Sequence, residues 1–136
     1  MFIQGKLFSD ERGTIRFVND FNFEGIKRFY TITHPDTSTI RAWQGHKIES
    51  KHFFVPVGKF LISWVEIDNW ENPAKDLKVN KQILSAENPQ ILIIPPGCAN
   101  GFKALQPDSQ LISFSNLTIE ESKNDDYRFP SDYWTL

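Results

Sequence analysis

The stretch from Ile40 to Asp68, IRAWQGHKIESKHFFVPVGKFLISWVEID, carries the periodicity on which the fold turns. In its second half Leu61, Ser63, Val65 and Ile67 alternate with Phe60, Ile62, Trp64 and Glu66, so both faces carry apolar side chains. A strand covered on both sides belongs inside a sandwich or barrel. Working outward, short runs of the same kind recur as GTIRFV, IKRFYTI, STIRAW, KHFFVPV, QILIIPP and QLISFSNL, each bounded by turn residues such as ERG, NFEG, HPDT, PVGK, ENP and QPDS. This spacing predicts an all-β chain, an antiparallel sandwich or closed barrel of the jelly-roll sort. The one helical candidate is Asn72 to Val79, with an Asn cap and Pro73 at the first helical position, short enough to be only a turn. The aromatic, polar segment ESKNDDYRFPSDYW is expected to wrap the surface or a neighbouring subunit.

Composition bounds the rest. With 136 residues, 40% of them hydrophobic, the chain fits one domain over residues 1–136. Fifteen Lys plus Arg against seventeen Asp plus Glu leave a net charge of -2, so no bulk basic field attracts nucleic acid or acidic lipid. A local positive pocket is compatible with that balance. The lone Cys98 has no disulfide partner, no apolar run is long enough to span a membrane, and the start lacks a signal-peptide layout. These features predict a cytoplasmic protein. Twelve Phe, four Trp and three Tyr are enough rings both to fill a core and to line a ligand pocket.

Two segments concentrate side chains able to do chemistry. Ile40 to Gly58 crowds Arg41, Gln44, His46, Lys47, Lys51 and His52 around Trp43, and IPPGCANGF, Ile94 to Phe102, has a Pro-Pro-Gly turn that sets the following residues at the mouth of a barrel. Together they resemble the two motifs of the cupin superfamily, which fall on Gln44, His46, Lys51 and Gly58, and on Pro95, Gly97 and Asn100. Further segments narrow the likeness. DERGTIRFVND, IKRFYTI, RAWQGHK and LSAENPQILIIPPGCANGF resemble the corresponding stretches of the dTDP-4-dehydrorhamnose 3,5-epimerases and of the dTDP-4-dehydro-6-deoxyglucose 3,4-ketoisomerases, from Lys6 to Trp134.

The resemblance implies a double-stranded β-helix, a single cupin domain, and an isomerase of polysaccharide biosynthesis acting on a nucleotide-linked 4-keto-6-deoxy sugar. It also implies a homodimer. Of the four usual cupin metal ligands only His46 is kept, beside amides at Gln44 and Asn100 and a cation at Lys51, so neither a metal nor another cofactor is expected. The family base falls on Gln44, which cannot take a proton. On this reading His46 is the base, Tyr30 its acid partner and Lys51 the charge that steadies an enolate. Arg28 and Arg41 would grip the diphosphate, within a cationic cluster that includes Lys47, while Trp43 stacks on the ligand and Gln44 and Asn100 bind it. Either a single epimerisation or a keto migration fits. The alternative is a non-catalytic sugar-binding or partner-binding cupin. His34 reads as solvated, His52 as structural, Cys98 as a small buried hydrophobe, and Glu120, Glu121, Asp125 and Asp126 as a solvated acidic surface.

Overall fold

The computed structural model describes all 136 residues. Its strands are β1 (Phe2–Gln4), β2 (Lys6–Asp10), β3 (Gly13–Phe17), β4 (Arg28–Thr33), β5 (Arg41–His46), β6 (Lys51–Val57), β7 (Lys59–Glu66), β8 (Asn80–Ser85), β9 (Gln90–Ile94), β10 (Cys98–Ala104), β11 (Gln110–Ser115) and β12 (Tyr127–Arg128); one helix, α1, spans Ile119–Lys123. The ten strands outside the β2–β3 hairpin form two five-stranded sheets, ordered β1-β9-β6-β11-β4 and β12-β5-β10-β7-β8, in which every pairing is antiparallel. This is the jelly roll that the alternation predicts.

The two-faced reading of β7 holds residue by residue. Phe60 and Ile62 point into the main core with Phe53, Val55, Leu92 and Leu111, while Val65 belongs to a second cluster with Trp43, Ala99 and Trp134. That second cluster lies on the other face of β5, β10 and β7. The segment after β11 covers it: Phe129 and Trp43 exchange backbone hydrogen bonds, and the Trp43 indole donates to the Trp134 carbonyl at 3.0 Å. The aromatic segment therefore wraps its own sheet.

Several local expectations need correction. Asn72 to Val79 takes the turn alternative, with a bend and one turn in place of a helix. The helical turn is α1, begun by a reciprocal capping box between Thr118 and Glu121. β1, β2 and β8 are strands whose short apolar content left no alternating signal, and IPPGCANGF runs from a turn directly into β10. Gly97 makes that turn with φ +91°, but Gly101 lies within β10. A Cβ there would approach the Ala42 Cβ to 2.6 Å. Gly101 thus permits the close contact of β10 with β5, where the register slips between Asn100 and Phe102.

Candidate active site

Sequence alternation builds the site on the inner faces of both sheets. In β4, Arg28, Tyr30 and Ile32 turn inward and Phe29, Thr31 and Thr33 outward. Register then sets Arg28, Ser115 and Lys51 in one row across β4, β11 and β6, and Tyr30, Ser113 and Phe53 in the next. From the facing sheet come Gln44 and Asn100, register partners on β5 and β10. Between them opens a cavity of about 470 Å3, with Phe53 and Phe102 in its apolar wall and Arg41 at its exposed rim. A second recess, about 300 Å3, shares Tyr30, Gln44 and Lys51 with the first.

The closest polar contact in the cavity joins Lys51 to Tyr30: Nζ donates to the phenol oxygen at 2.5 Å. An ammonium has no lone pair, so the tyrosine oxygen can only accept here, and its own O–H is free to donate elsewhere. Asn100 Nδ2 donates to the Gln44 carbonyl at 3.3 Å, and Gln44 Nε2 to Asp126 at 3.0 Å. These bonds leave both side-chain amide oxygens free to accept from another donor.

Behind the cavity lies a dense polar knot. Glu49, its side chain fully buried, accepts from Arg28 Nη2 at 2.9 Å and from the Ser115 hydroxyl at 2.5 Å through Oε1. Its Oε2 lies 3.1 Å from His46 Nδ1, 3.3 Å from the Ser122 hydroxyl and 3.5 Å from Lys51 Nζ. Burial pushes the Glu49 carboxyl up, but Lys51, Ser115, His46 and Arg28 together hold it below the ordinary value. His46 Nδ1 also meets the Asp125 carbonyl at 2.7 Å. Two acceptors face that nitrogen, so it carries the proton and Nε2 is bare; Nε2 is buried without a partner. Burial keeps the imidazole below its usual value, against the opposing pull of the Asp125 carbonyl and Glu49. Its contact with Glu49 is thus that of a neutral imidazole beside a carboxylate rather than an ion pair. The Asp125 carboxylate closes the knot by accepting backbone N–H groups of Lys47, Ile48 and Glu49.

The structure brings Tyr30, Lys51, Gln44, Asn100 and Arg41 together and removes other candidates. His46, 2% exposed, lines neither recess, so it does not stand where a base would meet substrate. Arg28 reaches the second recess, but its guanidinium is already engaged by Glu49, Ser122 and the Leu117 carbonyl. Trp43 borders the cavity, yet it is 1% exposed, with its ring edge-on to Trp134 in the outer cluster, and offers no stacking face. Lys47 lies over the Tyr127 and Trp70 rings, outside the proposed cationic cluster. Arg128, which the sequence reading passed over, lines both recesses and is paired with Asp126.

His34 is not solvated: its ring stacks on Phe102, and both ring nitrogens are buried. Of the acidic run, Asp125 is buried rather than solvated, whereas Glu120, Glu121 and Asp126 are exposed, Glu121 capping α1 and pairing with Lys27 and Asp126 holding Gln44 and Arg128. His52 packs edge-on to Phe21, and burial pushes the Cys98 thiol up to about 11, away from nucleophilic use. The cupin metal positions present two amides, an ammonium and one imidazole whose Nδ1 is engaged; this donor set does not fit a divalent ion.

No family model matches the chain. The probable low-salt glycan biosynthesis epimerase Agl13 of Haloferax volcanii is 25% identical over 131 residues, covering 91% of this chain and 81% of that protein. Among solved structures, a dTDP-4-dehydrorhamnose 3,5-epimerase from Sulfolobus tokodaii superposes with a TM-score of 0.77 at 27% identity, over 99% of this chain and 79% of the other. A dTDP sugar isomerase from Desulfovibrio desulfuricans gives 0.76 at 20% identity, over 97% and 84%. A 3,4-ketoisomerase from Helicobacter canadensis gives 0.70 at 17%, over 98% and 92%. The chain therefore shares the fold of the nucleotide-sugar epimerases and ketoisomerases that its motifs resemble.

Proposed function

We propose that this chain is an isomerase of nucleotide-linked 4-keto-6-deoxy sugars that moves a proton next to the carbonyl without a metal. The observation that carries the reading is the Lys51–Tyr30 contact inside the cavity. Guanidinium and amide groups do not exchange protons at neutral pH, so among the lining side chains only Tyr30 and Lys51 can. Tyr30 acts as the phenolate, its own proton first released to solvent: as the C–H bond beside the carbonyl breaks, the proton passes to the phenolate oxygen and the electron pair moves onto the carbonyl oxygen. The Lys51 ammonium and the Asn100 amide are placed to steady that charge. A proton from solvent delivered to the opposite face of the same carbon yields an epimer; return of the Tyr30 proton to the former carbonyl carbon, as the neighbouring hydroxyl passes its proton to the enolate oxygen, yields the ketoisomer. The amides of Gln44 and Asn100 suit sugar hydroxyls, and Arg41 at the rim suits a nucleotide phosphate.

The Haloferax relative's name and the solved epimerases and ketoisomerases support this chemistry over a purely binding role. No helix is long and apolar enough to cross a membrane, and the buried, unpaired Cys98 suits a cytoplasmic enzyme. Residues 1–136 would act as one catalytic domain. Phe23 and Phe29, 61% and 67% exposed beside the outer face of the β4 sheet, supply an apolar patch for a homodimer, which sedimentation would register as doubled mass.

The direct test incubates the protein with dTDP-4-keto-6-deoxyhexoses in deuterated water and follows the sugar by NMR. Deuterium is expected at a carbon adjoining the carbonyl, together with a new sugar. Binding without any exchange, for every sugar tried, would overturn the catalytic reading in favour of a binding protein.

A further inference from the structure

Glu49 lies outside both recesses, yet it is the most heavily engaged side chain beneath them. A carboxylate withdrawn from water requires donors in return. Arg28 and the hydroxyls of Ser115 and Ser122 already supply three, from β4, β11 and α1. Oε2 additionally faces His46 and Lys51, and this is the side on which the knot meets the cavity.

We infer that Glu49 is a positioning residue, whose Oε2 aims the Lys51 ammonium at Tyr30 and holds His46 as its Nδ1–H tautomer. The inference rests on the Tyr30–Lys51 pair being the proton-transfer site. Lysine stems rotate freely, and an ammonium anchored at only one point samples many orientations. One N–H meets the Tyr30 oxygen, and the Oε2 charge 3.5 Å away restricts where the ammonium can sit. Lys51 lines the cavity, so a remaining N–H is available to a substrate oxygen. His46 is the other arm of the same device. Its Nδ1–H goes to the Asp125 carbonyl with Oε2 3.1 Å away as a second acceptor, so the imidazole lies against the carboxylate from behind rather than meeting substrate.

Glu49→Gln keeps the shape and removes the charge. It is expected to lower kcat by about 10- to 100-fold while KM stays near the wild-type value, since positioning errors act on the transition state. Ser122→Ala strips a bond from the same oxygen but keeps the charge, and should leave kcat close to wild type even where it lowers Tm. Wild-type kcat in Glu49→Gln, or a kcat loss in Ser122→Ala that matches the one in Glu49→Gln, overturns the inference. Should Glu49→Gln fail to fold, Glu49→Asp keeps the buried charge but withdraws it by one methylene, and an unchanged kcat there is equally fatal.

If the wild-type protein isomerises no keto sugar, the proposed function fails, and the inference is then decided by His46 alone. Nitrogen-15 NMR should show the Nδ1–H tautomer in the wild type. In Glu49→Gln the His46 titration should fall by about one pH unit, because a facing negative charge is lost. An unchanged tautomer and titration would overturn the assignment.

Discussion

Two sets of polar side chains share the interior between the sheets, and they differ in what they have left to offer. Arg28, His46, Glu49 and Asp125 form the knot, whose charged groups find most of their partners inside the protein. Tyr30, Gln44, Asn100 and Arg41 line the cavity, each with hydrogen-bonding capacity to spare. Lys51 alone belongs to both. Residue type therefore does not separate a structural arginine from a ligand-binding one: Arg28 and Arg41 are chemically identical, and partner saturation distinguishes them. A buried ion pair adds little net stability but is costly to break, whereas an unpaired rim charge is free to meet a ligand.

The comparison breaks most plainly at Tyr30. Tyr30→Phe removes the exchangeable proton and keeps the ring, so kcat should fall by about 10^2- to 10^4-fold with little change in Tm. A variant that retains near-full turnover would move the chemistry elsewhere. Next comes Arg28→Met, which strips the nearest cationic partner from Glu49 and should destabilise the fold by about 3 kcal/mol in urea titrations. Arg41→Met is its counterpart. It should leave stability within about 0.5 kcal/mol and weaken dTDP binding by about tenfold in calorimetry. Equal effects of the two arginine variants on stability would erase the distinction.

The smallest effect is in pH. His34, His46 and His52 are all held below the ordinary value of 6.5, burial being the leading cause in each. For groups so depressed the unfolded chain binds more protons, so their contribution is complete above 6.5 and is lost as pH falls through their folded values. Thermal melts should therefore be flat from pH 7 to 8 and decline below about 6.5, with Glu49 adding a further decline at the acid end. A Tm that rose on mild acidification would contradict the buried, neutral histidines.

The strands were legible because alternation is local. KFLISWVEID announces both of its faces within ten residues, and RFYTIT places Arg28 and Tyr30 on one side by parity alone. The knot was not legible because its contacts are distant along the chain: Glu49 meets Arg28 twenty-one residues earlier and Ser115 sixty-six later. Trp43 sits in a motif full of functional side chains, and only the packing of Trp134, ninety-one residues on, shows that its ring faces outward. One signal was present and passed over. Thr118 followed three residues later by Glu121 is a capping box written in the sequence, hidden by reading Glu120 and Glu121 only as a solvated acidic surface.

The clasp of residues 127–134 over Trp43 has a kinetic side. β5 is held by β10 on one edge and β12 on the other, so the strand that carries Gln44 and His46 is fully clamped only after segments some ninety residues apart have met. Contacts of that span incur their loop-closure entropy before they return any packing. Folding should accordingly be slow for a domain of this size, with the sheets assembled before the clasp docks. The cavity would then be among the last parts of the molecule to acquire its working geometry.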